Sequence, residues 1–224
     1  MNLHIFSNQD EQVAAILDSF LSTVTKILNT KDQITIALSG GKSPIPFLEK
    51  LSFANLDFSK ITFTLVDERI VDQSSIDSNE NLLRTYLLKN NAISAKFINL
   101  MEAGKTPNQM KDSANQRVDN IDLAILGMGE DGHTASIFPD CAQLQEAIDL
   151  NNINKFIITN PISAKYQRIS LTLAEIIKIP NLILSINGKT KLNVLNEAIL
   201  GDNLNYPVSF VLTRKPETQI FWYE

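Results

Sequence analysis

Three short stretches of this chain carry residue types that could do chemistry together. "SGGKS", Ser39 to Ser43, is a glycine turn with two hydroxyls and a lysine. "DER", Asp67 to Arg69, sets two carboxylates beside a guanidinium. "GMGEDGHT", Gly127 to Thr134, places Asp131 and His133 on either side of Gly132. An imidazole can take up or give a proton near neutrality, and a carboxylate next to it can orient the ring or tune its basicity. Free N–H groups and cations at a glycine turn suit an anion. Acid–base work on an anionic substrate is the chemistry these residues could supply. The only other histidine, His4, lies near the terminus, away from such a cluster.

Two familiar motifs fail on inspection. "GGKS" resembles the end of a P-loop, but that motif needs a glycine five positions before Gly41. Ile36 stands there, inside an apolar run. "GMGEDG" is a literal G-x-G-x-x-G after a strand. However, Pro139 stops any following helix within about two turns, and Glu130 and Asp131 would face a pyrophosphate. The next strand, "NKFIITN", also lacks the acid that would hold a ribose. No metal site is expected. There is no His-x-x-x-His spacing and Cys141 is the only cysteine, although Asp67, Glu68, Asp131 and His133 could in principle gather around a cation.

The elements that must position these residues alternate. Leu3 to Phe6 reads as a short strand. Asp10 to Leu28 carries a helical stripe through Val13, Ile16, Leu17, Phe20, Leu21, Val24 and Leu28. Ile34 to Leu38 is a β-branched buried strand, and Ser43-Pro44 reads as an N-cap followed by the first helical residue. Further strands are expected at Ile61 to Val66, Asp122 to Leu126, Lys155 to Ile158 and Leu182 to Ile186. Helices are expected at Asn79 to Leu88, Thr106 to Val118 and Lys189 to Leu200. Ser209 to Leu212 and Gln219 to Trp222 read as short strand pieces. This alternation argues for an α/β fold, a mostly parallel sheet flanked by helices on both faces. No linker or repeat divides it, so residues 1–224 read as a single domain. All three polar clusters then follow strand ends, where open α/β sheets bind ligands.

Composition narrows the classes. A net charge of −5 with no basic block leaves no electrostatic footprint for nucleic acid. One cysteine excludes a disulfide framework, and no apolar run approaches a membrane span. "MNLHIFSNQDEQ" has neither part of a signal peptide. A soluble cytoplasmic protein is expected, acting on a small molecule with no nucleic acid or membrane partner, as a monomer or weak dimer.

Taken together the clusters resemble the 6-phosphogluconolactonase family. The matching segments are "ALSGGKSP" (37–44), "VDERIV" (66–71) with "SN" at 78–79, "DLAILGMGEDGHTASIFP" (122–139), "RISLTL" (168–173) and "GKTK" (188–191). They occur in the family's order over most of the chain, and the "GMGEDGHTASIFP" block is the most specific. The resemblance implies the Rossmann-like fold shared with sugar-phosphate isomerases and glucosamine-6-phosphate deaminases. It also implies hydrolysis of 6-phospho-D-glucono-1,5-lactone in the oxidative pentose phosphate pathway, without a cofactor.

Roles follow from the chemistry such a substrate needs. His133 is the expected general base, with Asp131 as its orienting partner and Arg69 stabilising developing negative charge or positioning the sugar. The phosphate is expected to meet Ser39, Gly40, Gly41, Lys42 and Ser43, with Asp67 also in the binding site. By resemblance, Arg168 and Lys191 match basic positions near the sugar phosphate. Asp67 and Glu68 could equally hold Arg69 as a buried ion pair. Three positions depart from the family's usual pattern: Lys42-Ser43 for Ser-Thr, Asp72 for Pro, and Ser170 for Thr. Two other readings stay open. Deaminases on this scaffold carry Glu five residues after the His and Tyr after Asp-Glu, where this chain has Phe138 and Arg69. A sugar-phosphate-binding protein without catalysis is the third reading, although it has no need of His133.

Overall fold

The computed structural model describes residues 2–224. Seven strands form one sheet: β1 (Asn2–Phe6), β2 (Ile34–Leu38), β3 (Ile61–Leu65), β5 (Lys96–Phe97), β6 (Leu123–Gly127), β9 (Asn181–Asn187) and β10 (Gln219–Tyr223). Their order is β1-β10-β9-β6-β2-β3-β5, and every neighbouring pair is parallel. All five residues of β2 are buried, as a strand covered on both faces requires. From β2 the chain winds outward to β3 and β5. It then returns to β6 on the other side of β2 and winds out to β9 and β10. Because parallel crossovers are right-handed as a rule, winding out in both directions puts helices on both faces.

Those helices are α1 (Gln9–Leu28), α2 (Ile45–Ser52), α3 (Asn79–Tyr86), α4 (Pro107–Arg117), α5 (Leu144–Ile148), α6 (Leu173–Ile176), α7 (Lys189–Ala198) and α8 (Val208–Arg214). The expected stripe of α1 buries Val13, Ile16, Phe20 and Val24, and Asn8 caps its start by accepting the Glu11 N–H. Thr106 and Gln109 form a capping box that fixes the start of α4.

Four expectations need correction. Ser209 to Leu212 belongs to helix α8, not to a strand. Val208, Val211 and Leu212 are buried at helical spacing, and Pro207 at the N-cap presets φ at −54°. Ser43 does not cap α2; Pro44 occupies that position and no side chain bonds the helix start. "DER" does not simply end β3. Val66 donates its N–H to Leu38 O and accepts from Leu171 N, and there the chain leaves the large sheet. Asp67–Arg69 is β4, which pairs antiparallel with β8 (Arg168–Leu171), itself antiparallel to β7 (Phe156–Thr159). The stretch expected as a further parallel strand at Lys155 to Ile158 is thus β7, an outer strand of this small second sheet.

Candidate active site

The reversal of winding between β2 and β6 opens a crevice beyond their carboxyl ends, where such sheets bind ligands. A cleft of about 250 Å³ lies there. Its floor is fastened by Ser39, whose hydroxyl donates to Ile125 O (2.9 Å) and accepts Gly127 N–H (3.2 Å). Gly40, Gly41 and Ser43 continue the wall into α2, and Gly41 has φ +88°, a conformation glycine adopts without strain. Gly40 also has no room for a side chain, since a Cβ there would meet the Asn79 amide at 1.8 Å.

The loop after β6 carries Asp131 and His133 in contact. His133 Nδ1 and Asp131 Oδ1 are 2.6 Å apart, and the same oxygen accepts the His133 N–H at 3.2 Å. Gly132 between them has φ +72° and packs against Tyr206, so the loop can fold this tightly only with glycine. Gly129 N–H donates to His133 O, and Thr134 Oγ1 donates to Gly127 O. Burial alone would raise the Asp131 carboxyl. Hydrogen bonding and charge from His133 outweigh it and hold Asp131 below the usual carboxylate range. A carboxylate on Nδ1–H leaves Nε2 as the basic nitrogen of a neutral ring. The imidazole lies flat on Phe138, with centroids 3.9 Å apart and planes at 18°.

The small sheet supplies the cations. Arg69 and Arg168 are register partners on β4 and β8, and both line the cleft. Arg69 Nη1 donates to Asp77 O at 2.7 Å, and Tyr166 OH donates to the Asp77 carboxylate. Arg168 Nη1 donates to Ser136 Oγ at 3.2 Å and lies 3.9 Å from Asp67 Oδ2. Ser136 Oγ in turn donates to Asp67. The Nε–H groups of both arginines are buried without a partner. Burial lowers the Arg168 pKa, while Asp67 pulls it back up. Lys191, in the first turn of α7, also lines the cleft. Its ammonium is pushed below its ordinary range by burial, against the pull of Glu130 and Asp131.

Residues from five separate segments therefore meet at one cleft. Ser39, Gly40, Gly41, Ser43, Asp67, Arg69, His133, Arg168 and Lys191 line it, and Asp131 stands directly behind His133. Lys42 is exposed and does not line the cleft. Glu68 points away from it. Its carboxylate is fully buried and accepts Arg69, Asn79 and Glu80 N–H and the Ser78 hydroxyl, which ties β4 to the start of α3. No group of three or more metal-ligating side chains gathers among the described residues.

Three participants escape a reading of residue types alone. Asn79 lines the cleft and donates to Asp67 O. Ser136 joins Asp67 to Arg168, and Phe138 carries His133. All three stand within the segments that carry the family resemblance, but an Asn, a Ser and a Phe give no signal of function until their neighbours are known.

The chain is similar to known proteins along nearly its whole length. A family model described as glucosamine-6-phosphate isomerases/6-phosphogluconolactonase matches residues 7–222. A 6-phosphogluconolactonase of Neisseria meningitidis is 39% identical over 217 residues, 95% of this chain and 94% of that protein. One from Helicobacter pylori is 40% identical over 222 residues, 97% and 96% of the two chains. Among solved structures, a 6-phosphogluconolactonase from Shewanella baltica superimposes with a TM-score of 0.92 at 29% identity, covering 100% of this chain and 98% of that one. With a matching fold, matching segments and a model that spans it almost end to end, this chain belongs to the glucosamine-6-phosphate isomerase/6-phosphogluconolactonase family.

Proposed function

We propose that this protein hydrolyses 6-phospho-D-glucono-1,5-lactone to 6-phospho-D-gluconate, with water activated by His133. The observation that carries the reading is the Asp131–His133 pair facing the same cleft as Arg69, Arg168 and Lys191. That puts a base and cations for a phosphate in one cleft. The relatives named above as 6-phosphogluconolactonases support the substrate.

In the reaction, Nε2 of His133 takes a proton from water as the oxygen attacks the lactone carbonyl carbon. Asp131 keeps the ring in the required tautomer and stabilises the imidazolium. Arg69 stabilises the negative charge that develops on the carbonyl oxygen. The tetrahedral intermediate collapses by breaking the bond to the ring oxygen, which leaves as a hydroxyl with the proton returned from His133. The new carboxylic acid then loses its own proton to water. Arg168, Lys191, Ser43 and the Gly40–Gly41 turn hold the phosphate, with Asp67 fixing Arg168. Ser39 fastens the turn to β6. Lys42 adds positive charge at the rim.

The test is lactone disappearance. The lactone is generated in situ by glucose-6-phosphate dehydrogenase, and phosphogluconate formation is followed with wild type and His133→Ala. Acceleration over spontaneous hydrolysis is expected, falling on the order of 10² to 10⁴-fold in the folded variant. No acceleration by wild type would sink the lactonase reading. Ammonia release from glucosamine 6-phosphate would put a deaminase in its place.

A further inference from the structure

We propose that Phe138 is a positioning residue that couples the anion-binding arginine to the base, so that the site responds at His133 to a phosphate bound at Arg168. This coupling rests on the roles proposed above for His133 and Arg168. The geometry behind it is a shared ring. The imidazole of His133 stacks on Phe138 at 3.9 Å, and Arg168 Cζ lies 4.9 Å from the centroid of the same ring. Both contacts are of the kind in which a cation gains from an aromatic face. Arg168 carries its charge throughout, whereas His133 gains one only when it takes up the proton.

The ring has little freedom to move by itself. Phe138 is 4% exposed, and the backbone around it is pinned by the Thr134–Ile137 bridge and by Cys141 N–H donating to Phe138 O. Two residues earlier, Ser136 takes a second hold on Arg168 through its hydroxyl, and its N–H donates to Ser170 on β8. Ala135, between His133 and Ser136, lines the cleft at φ +48°, a strained conformation for a residue with a Cβ, which persists only where neighbours enforce it. The segment 133–138 thus carries the base at one end and grips the arginine from the other. The Arg168 Nε–H has no partner, so the guanidinium keeps unused bonding capacity toward an anion. A shift that an anion imposes on Arg168 is felt by the ring it touches, and through that ring by the imidazole.

The test reads the coupling without relying on turnover. The chain has two histidines, so the ring signals of His133 are assigned by NMR with a His4→Gln variant. Inorganic phosphate is titrated into wild type, Phe138→Leu and Phe138→Tyr, each checked for folding. Phosphate should move the His133 signals in wild type and in Phe138→Tyr, which keeps the aromatic face. In Phe138→Leu the response should fall to a small fraction. If the leucine variant does not fold, Phe138→Met, whose flexible side chain fills irregular gaps, is read instead. A wild-type-sized response in the folded leucine or methionine variant overturns the proposal, as does the absence of a response in wild type. The catalytic counterpart is substrate preference: the phosphorylated lactone against unphosphorylated gluconolactone, compared as a ratio of kcat/KM values. That preference should shrink about tenfold in Phe138→Leu, the size of one cation–aromatic contact. An unchanged ratio also overturns the coupling. Wild type that shifts with phosphate yet hydrolyses no lactone would defeat the proposed function and leave the coupling standing.

Discussion

At the scale of single residues, the proposed reaction divides the work of a base between Asp131 and His133. The carboxylate holds the imidazole by Nδ1, so its removal should loosen the base. Asp131→Asn is expected to lower kcat on the order of 10²-fold or more. A kcat near wild type in the folded variant would show that Asp131 holds the loop without serving His133. The same pair acts on stability. The Asp131 pKa is lowered in the folded state, so its contribution is present above the unfolded value and is lost as pH falls through the folded one.

At the scale of elements, turns and helix starts fix where side chains point. Gly132→Ala places a Cβ 2.8 Å from Tyr206 and forces a side chain onto φ +72°. A loss of about 1–3 kcal/mol is expected in denaturant unfolding, together with reduced kcat because the loop carries the proposed base and its partner. A neutral effect on both would mean that the loop can relax. Glu68 does the corresponding work for α3, and burial raises its pKa while the N–H groups of Asn79, Glu80 and Arg69 pull it down. A raised carboxyl favours the folded state most below its unfolded pKa, and that advantage is lost as pH rises through the folded value. Glu68→Gln should be less stable overall, since its amide NH₂ faces donors. The deficit should narrow as pH rises from about 4 toward neutrality. A deficit that widens with pH would contradict the raised pKa. In the sequence, α1, α4 and β2 were legible because stripe, cap and apolar run agree with the final burial. The element at Ser209 to Leu212 was not, since four apolar and hydroxyl residues suit a strand or a helix until Pro207 and the packing of Val208 decide.

For the whole molecule, two sheets have to meet at one cleft. The large sheet brings the glycine turn and the acid–base loop, and the small one brings both arginines. Ser136 is the buried side-chain link between the loop and the small sheet, bonding Asp67 and Arg168 with one hydroxyl. Ser136→Ala should cost about 1–3 kcal/mol in stability by leaving those buried groups short of a partner. It should also raise KM more than it lowers kcat, because the anion side of the site is what loses its support. An unchanged KM in a folded variant would argue that Arg168 is placed by the ring of Phe138 and Asp67 alone. No helix among the described residues is long and apolar enough to cross a membrane.

By itself the sequence determined the alternation of strands and helices, the parallel sheet, the failure of both nucleotide motifs, and the three clusters at strand ends. These are properties of local pattern: periodicity, turn residues and spacing are written in neighbouring positions. The family resemblance added Arg168 and Lys191, which no local rule would single out among twenty basic residues. Only the tertiary structure decided that "DER" leaves one sheet for another, that Glu68 serves a helix start, and that Lys42 stands outside the cleft. It alone decided that a serine and a phenylalanine join the base to the arginine. Those assignments depend on contacts between segments tens of residues apart. A side chain's partners there are chosen by strand register and packing, which the local sequence does not carry.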